Sequence, residues 1–303
     1  MMFDELRVRG GGRVIEHAPF GARTTYRVGG TVRALVTLSR TGDLDDLGPY
    51  VASCKLPIFV LGNGSNLLVA EGEHEVLGLH LSGEFSQLNW SEDGDDVVVE
   101  AGGGLDLPVA ARRLSAEGIT GFEWAVGVPG TFGGAAVMNA GGHGDDMAAS
   151  VQAVHTWSGQ GRRTWSMQDL RFAYRSSALG PGDVVTSVVL RLRRGDALDA
   201  QATMRDVVRW RREHQPGGAN AGSVFRNPPG DYAGRLIEGA GCRSLRVGSA
   251  VVSEKHANFI IADPGGSAND VFALIDVVRG RVLQHSGITL QCEHRFLGFE
   301  DAQ

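Results

Sequence analysis

LPIFVLGNGSN, residues 56–66, is an apolar run that breaks without transition into a polar, glycine-rich turn. The run predicts a short buried strand at 56–61, followed at once by the loop Gly62-Asn63-Gly64-Ser65-Asn66. The same join recurs downstream. DVVVEA, residues 96–101, predicts a second strand that ends at Gly102-Gly103-Gly104, and VGVPGTFGGAAVMNAGGHG, residues 126–144, is the most glycine-rich stretch of the chain. Successive backbone N–H groups freed of side chains converge readily on a phosphate oxygen. One such loop is an ordinary turn, whereas three within about 80 residues point to a dinucleotide. A P-loop signature is absent, and the Rossmann fingerprint fails because Leu67 stands where its third glycine belongs. The cofactor is therefore expected on dispersed loops rather than on one helix N-terminus.

Composition supports a globular reading. The chain has 303 residues, 42% of them hydrophobic, which predicts more than one domain and real cores. Its 44 glycines are about twice the usual share and are clustered, not periodic. A net charge of -6 argues against nucleic acid as a partner. Cys54, Cys242 and Cys292 are far apart, so no disulfide framework or zinc ribbon is implied, and no metal is expected. The N-terminus, MMFDELRVRG, lacks a leader pattern, and no apolar run is long enough to span a bilayer. A cytoplasmic protein without membrane insertion is the expectation.

Periodicity places further elements. A helix is expected from Leu107 to Glu117, with Asp106 at its N-cap, Pro108 in its first turn and Gly118 at its stop. Strands are expected at 151–158 and 184–193, and Ser166 with Asp169 has capping-box-like spacing. Beyond about residue 198 helices are expected at 199–213, 231–239 and 270–285. Met204, Val207 and Val208 form the apolar face of the first. Strands at 257–262 and 289–299 flank the last helix. A domain boundary falls near 195–200.

Eight pieces in order resemble one family: TTYRVGG (24–30), LGNGSNLLV (61–69), GFEWAVGVPGTFGGAAVMNAG (121–141), FAYRSS (172–177), AGSVFRNP (221–228), AGRLIEGAG (233–241), HANFII (256–261) and LQCEHRFLGF (290–299). The family is UDP-N-acetylenolpyruvoylglucosamine reductase. The segment after FAYRSS is short, which resembles the branch without an inserted tyrosine loop.

The resemblance implies an α+β architecture. Two subdomains of the vanillyl-alcohol-oxidase-like type (1–75 and 76–197) hold FAD, and a C-terminal α+β domain (198–303) binds substrate. It implies an NADPH-dependent flavin oxidoreductase that converts UDP-N-acetylglucosamine enolpyruvate to UDP-N-acetylmuramate. That is a step of peptidoglycan precursor synthesis, and so of cell-wall biogenesis, cell shape and division. Gly62, Asn63, Gly64, Ser65 and Asn66, with Gly127, Val128, Pro129, Gly130, Gly133, Gly134 and Ala135, would line the FAD. The first of these loops contains no histidine, so the flavin is expected to be noncovalent. Tyr174, Asn227 and Arg295 would lie near substrate. The family's lysine before a Gln-Pro turn is His214 here, which leaves Arg211, Arg212 or Arg226 to meet the diphosphate.

The family's catalytic residues fall on Arg175, Ser223 and Glu293. Hydride from flavin N5 reaches the terminal carbon of an enol ether, and charge builds on the adjoining carboxylate. An always-charged, planar guanidinium suits that charge, which is the role for Arg175. A protonated Glu293 would add a hydrogen bond, which requires its pKa to be raised by burial or neighbouring charge. Ser223 would then give the carbon its proton. Duller readings exist for each: a surface ion pair for Arg175, a turn cap for Ser223, an in-strand charge beside Gln291 and Arg295 for Glu293. Two other functions compete, a flavin oxidase of the same fold and a non-catalytic nucleotide-binding module. The reductase reading needs all three side chains at one flavin edge.

Overall fold

The computed structural model describes residues 13–299; the N-terminal segment examined for a leader lies outside the described residues. Two compact units interleave along the chain. Among the described residues the first comprises 13–16, 33–62 and 75–211, the second 17–32, 63–74 and 212–299.

The first unit is built on two sheets. A four-stranded sheet takes the order Arg13–Ala18, Thr31–Leu38, Glu73–Leu81, Ile58–Val60, the first three of these strands sharing a few residues with the second unit's segments. The run 56–61 thus forms only a three-residue strand, paired parallel to 77–79. Helix Thr41–Cys54 covers this sheet through Leu44 and Leu47, which pack with Ala34, Val36, Leu77 and Leu79. The larger sheet is antiparallel, ordered Gly161–Ser166, Val151–Ser158, Val184–Arg194, Asp96–Gly102, Leu88–Asp93. Its long central strand pairs Leu190 with Val99 and Leu192 with Val97, so the valines of DVVVEA alternate into the core. Helix Leu107–Ala116 lies on this core, with Asp106 at its N-cap and Pro108 in its first turn. Ser166 and Asp169 form a reciprocal capping box on the one-turn helix Met167–Leu170.

Helix Ala197–His214 packs through Ala200, Met204 and Val207. Val208, expected on the same face, is instead 45% exposed, because a 3.6-residue period turns it away from Val207.

The second unit gathers three distant segments around one core that includes Tyr26, Val28, Leu68, Phe225, Ile237 and Val278. Its sheet is a short antiparallel meander, Arg246–Val247, Ala250–Val252, Ile260–Ala262. Helices Ala233–Gly239 and Ala268–Ser286 pack on it; the longer one buries Val271, Leu274, Ile275, Val278 and Val282. The strand expected at 257–262 shrinks to 260–262. Of the one expected at 289–299 only Arg295–Leu297 is regular, paired parallel to Leu67–Val69. Upstream of it the chain makes one isolated antiparallel bridge, Cys292 with Phe225. No helix among the described residues is long and apolar enough to cross a membrane.

Candidate active site

The three glycine loops divide by the reason for their glycines. At 102–104 the reason is protein backbone: a methyl on Gly102, Gly103 or Gly104 would come within 2.1 Å of Phe85 O, 2.0 Å of Val185 O or 2.5 Å of Leu81 O. Those glycines buy close packing, and the loop is not a phosphate cradle. It supports the next one instead, since Gly103 O accepts from Gly133 N at 2.8 Å and Leu105 O from Phe132 N at 3.0 Å. Both N–H groups begin the helix Phe132–Met138, whose N-cap hydroxyl, Thr131 Oγ1, accepts from Gly134 N. Gly62 abuts the same threonine; a methyl there would lie 2.6 Å from Thr131 Oγ1.

Gly134 differs from these. It is exposed, and the atom nearest to a methyl placed on it is 3.8 Å away. In the same unit as Gly134, the indole N–H of Trp124, which belongs to the turn leading into Gly127, is buried without a hydrogen-bond partner among the described residues. An open glycine surface and an unsatisfied buried donor each suit a ligand rich in acceptors, as a flavin dinucleotide is. Gly127, Val128, Pro129, Gly130, Gly133 and Ala135 form the intervening turn and helix start.

Arg175 sits on a tight turn in which Ala173 and Ser176 exchange two backbone hydrogen bonds, at 3.1 and 3.0 Å. Its φ of 56° is left-handed, a conformation that costs a residue with a Cβ about 1–2 kcal/mol. Buried Asn139 holds the turn: its Nδ2 donates to Ala173 O at 3.1 Å and to Asp146 Oδ2 at 3.0 Å, and its Oδ1 accepts from Ala148 N at 3.0 Å. The half-buried Arg175 guanidinium donates to Gly141 O at 3.0 Å and lies 5.3 Å from the centroid of the exposed Tyr174 ring. Arg211 packs beside Gly127, where a methyl would come within 2.7 Å of its Cδ, and burial lowers its pKa. Burial and the Arg211 charge, in that order, also hold His143 below the ordinary imidazole value.

In the second unit the segments that carry Ser223 and Glu293 pair with each other. Glu293 N donates to Val224 O at 2.8 Å and Arg226 N to Gln291 O at 2.9 Å, so the two segments run antiparallel with both residues half-buried at one end. The turn before Ser223 is capped by Asn220 Oδ1, which accepts from Gly222 N at 3.1 Å. Asn227 Oδ1 accepts from Ala233 N at 3.0 Å, at the start of the helix Ala233–Gly239. Arg226 Nε is buried without a hydrogen-bond partner among the described residues. The exposed Arg295 donates its backbone N–H to Asn66 O at 2.9 Å.

In the 63–66 segment, Gly64 takes a φ of 60° and packs against Thr24, whose Cα lies 2.6 Å from where a methyl would sit. Asn63 is exposed and Ser65 half-buried. The Asn66 side chain turns inward: Nδ2 donates to Glu293 O at 3.1 Å, and Oδ1 meets His294 Nδ1 at 2.9 Å. The far imidazole nitrogen, Nε2, meets Tyr26 OH at 3.1 Å. Sequence reasoning missed both His294 and Tyr26 as parts of this arrangement. His294 is buried at 4% exposure, and burial pushes its pKa down to about 3.

These features define the class first: an α+β flavoprotein fold with an FAD-binding region. Residues 32–166 match the FAD binding domain family, and residues 214–297 match the C-terminal domain of UDP-N-acetylenolpyruvoylglucosamine reductase. The UDP-N-acetylenolpyruvoylglucosamine reductase 2 of Symbiobacterium thermophilum is 42% identical over 302 residues, covering 98% of this chain and 97% of its own. The enzyme of Heliobacterium modesticaldum is 40% identical over 299 residues, covering 96% and 93%. The crystal structure of the reductase from Thermus caldophilus superposes with a TM-score of 0.79 at 33% identity, covering 94% of this chain and 98% of that one. The chain belongs to the UDP-N-acetylenolpyruvoylglucosamine reductase family, and it is an FAD-dependent oxidoreductase.

Proposed function

We propose that the protein reduces UDP-N-acetylglucosamine enolpyruvate to UDP-N-acetylmuramate at the expense of NADPH, with Arg175, Ser223 and Glu293 as its catalytic residues. The observation that supports the reading is the hydrogen bond from Glu293 N to Val224 O, which ties the segment carrying Ser223 to the segment carrying Glu293. Full-length relatives of the same name add to it.

Bound FAD supplies the hydride, and its proposed cradle is Gly62 to Asn66 together with Gly127 to Ala135. Asn66 would serve through its backbone, since its amide is committed to Glu293 and His294. Arg175 grips the substrate carboxylate, and its left-handed turn fixes the approach of the guanidinium before substrate arrives. Glu293, in its protonated form, donates to the same carboxylate, so the charge that develops there is shared by two donors. Ser223 releases its hydroxyl proton to the carbon next to the carboxylate, and the C–H bond formed there completes the reduction. Tyr174, Asn227 and Arg295 are proposed to contact substrate, and Arg211 and Arg226 are cations available to a diphosphate.

The test is anaerobic mixing. Ser223→Ala should accept electrons from NADPH at the normal rate, while reoxidation by the enolpyruvyl sugar nucleotide slows by roughly 10²- to 10⁴-fold, the span of general acid catalysis. Reoxidation at an unchanged rate would remove Ser223 from the mechanism. Denaturing gel filtration decides against the oxidase alternative if the yellow colour separates from the unfolded chain.

A further inference from the structure

We propose that His294 is a positioning residue for the reduction of substrate. Its buried imidazole, held between Asn66 and Tyr26, locks the Glu293 backbone and the 63–66 segment into one unit. This rests on the proposed role of Glu293. Three segments far apart in sequence meet at this ring: Asn66 at 2.9 Å from Nδ1, Tyr26 at 3.1 Å from Nε2, and the chain that carries Glu293 itself.

The hydrogen bonds have one consistent direction. Asn66 Nδ2 donates to Glu293 O, so Asn66 Oδ1 is the acceptor that faces His294. Nδ1 therefore carries the proton, and Nε2 accepts from the hydroxyl of Tyr26. Tyr26 is fully buried and stacks edge-on against the imidazole, with centroids 5.6 Å apart at 81°. Every donor in the chain from Tyr26 to Glu293 thus has an acceptor, and none of its members is charged. A fully satisfied buried network specifies one geometry. The geometry it specifies is the one a catalytic carboxyl needs, because such groups lose function when displaced by about 0.5 Å. Asn66 also accepts from Arg295 N at 2.9 Å, so the segment flanking Glu293 is clamped on both sides.

The network is testable without flavin. In ¹⁵N-histidine-labelled apoprotein, the resonance lost in His294→Phe should show the Nδ1-protonated tautomer; the opposite tautomer overturns the proposal. In the holoenzyme, His294→Phe keeps a ring and loses both hydrogen bonds. It should slow reoxidation by enolpyruvyl substrate roughly tenfold, the effect of losing about one buried hydrogen bond, and leave reduction by NADPH unchanged. His294→Gln, which retains a donor and an acceptor, should recover most of that loss. Tyr26→Phe removes a single oxygen and should slow reoxidation severalfold; it carries the test if His294→Phe does not fold. Unchanged reoxidation, or equal loss in both half-reactions, would reduce His294 to a structural role. Glu293→Ala separates the two ideas: if it leaves reoxidation intact, the proposed hydrogen bond from Glu293 to the substrate carboxylate has failed whatever His294 does. If it slows reoxidation while the His294 and Tyr26 variants do not, only the positioning proposal falls.

Discussion

The turn that carries Arg175 and the bridge that carries Ser223 and Glu293 solve one problem by different means. In the first unit, a guanidinium is fixed by a strained two-residue turn, with a φ of 56° stabilised by Asn139 and anchored at Gly141 O. In the second, the segments that carry Ser223 and Glu293 are tied by two backbone hydrogen bonds around one isolated bridge, and the Glu293 carbonyl is held by Asn66, which pairs with the His294 ring. The contrast follows from the charges involved. A permanent cation can sit on a half-exposed turn, because solvation is cheap there and it needs only orientation. The segment that carries Glu293 is held instead through uncharged groups, the Asn66 amide and the His294 ring.

Breaking the first arrangement should give the largest effect. Arg175→Ala should slow reoxidation by about 10²- to 10³-fold, the effect of losing one donor to a developing oxyanion, measured by stopped-flow absorbance. Removing its support is the next step down. Asn139→Ala leaves Ala173 O, Ala148 N and Asp146 with lost partners and places a Cβ-bearing residue without a polar side chain at a φ of 40°. It should destabilise the first unit by about 3 kcal/mol in urea unfolding.

The second arrangement has a pH signature. Unfolded, His294 takes a proton near 6.5; folded, it resists until about 3. Between those values the unfolded chain binds more protons, so stability is complete above about 6.5 and falls as pH drops toward 3. The loss is on the order of a few kcal/mol, and His294→Phe should flatten this acid-side decline in urea titrations. The smallest expected effect is at Gly134. Alanine there meets nothing closer than 3.8 Å and lies within a helix, so apoprotein stability should rise by about 0.5–1 kcal/mol. FAD affinity should fall, because the methyl would enter the proposed flavin surface.

Local signals made much of this legible in sequence. Ser166 with Asp169 and Asp106 with Pro108 mark helix starts through contacts within one turn, so spacing alone revealed them. The strand-to-glycine joins at 61/62 and 101/102 were equally visible. The meaning of Gly102–Gly104 was not, because it depends on the backbones of residues 81, 85 and 185. The strand expected at 289–299 was overlong because its only regular partner is Leu67–Val69, which no periodicity announces. His294 looked like any polar residue in a β-rich run, since its partners lie 228 and 268 positions away.

The central proposal is that Arg175 and Glu293 act on one carboxylate. A double-mutant cycle on the rate of flavin reoxidation, using Arg175→Ala, Glu293→Ala and the combined variant, tests it most directly. Donors that stabilise the same developing charge should couple by at least about 1.4 kcal/mol, a tenfold departure from multiplicative losses. Strictly multiplicative losses would place the two side chains on separate tasks and contradict the account.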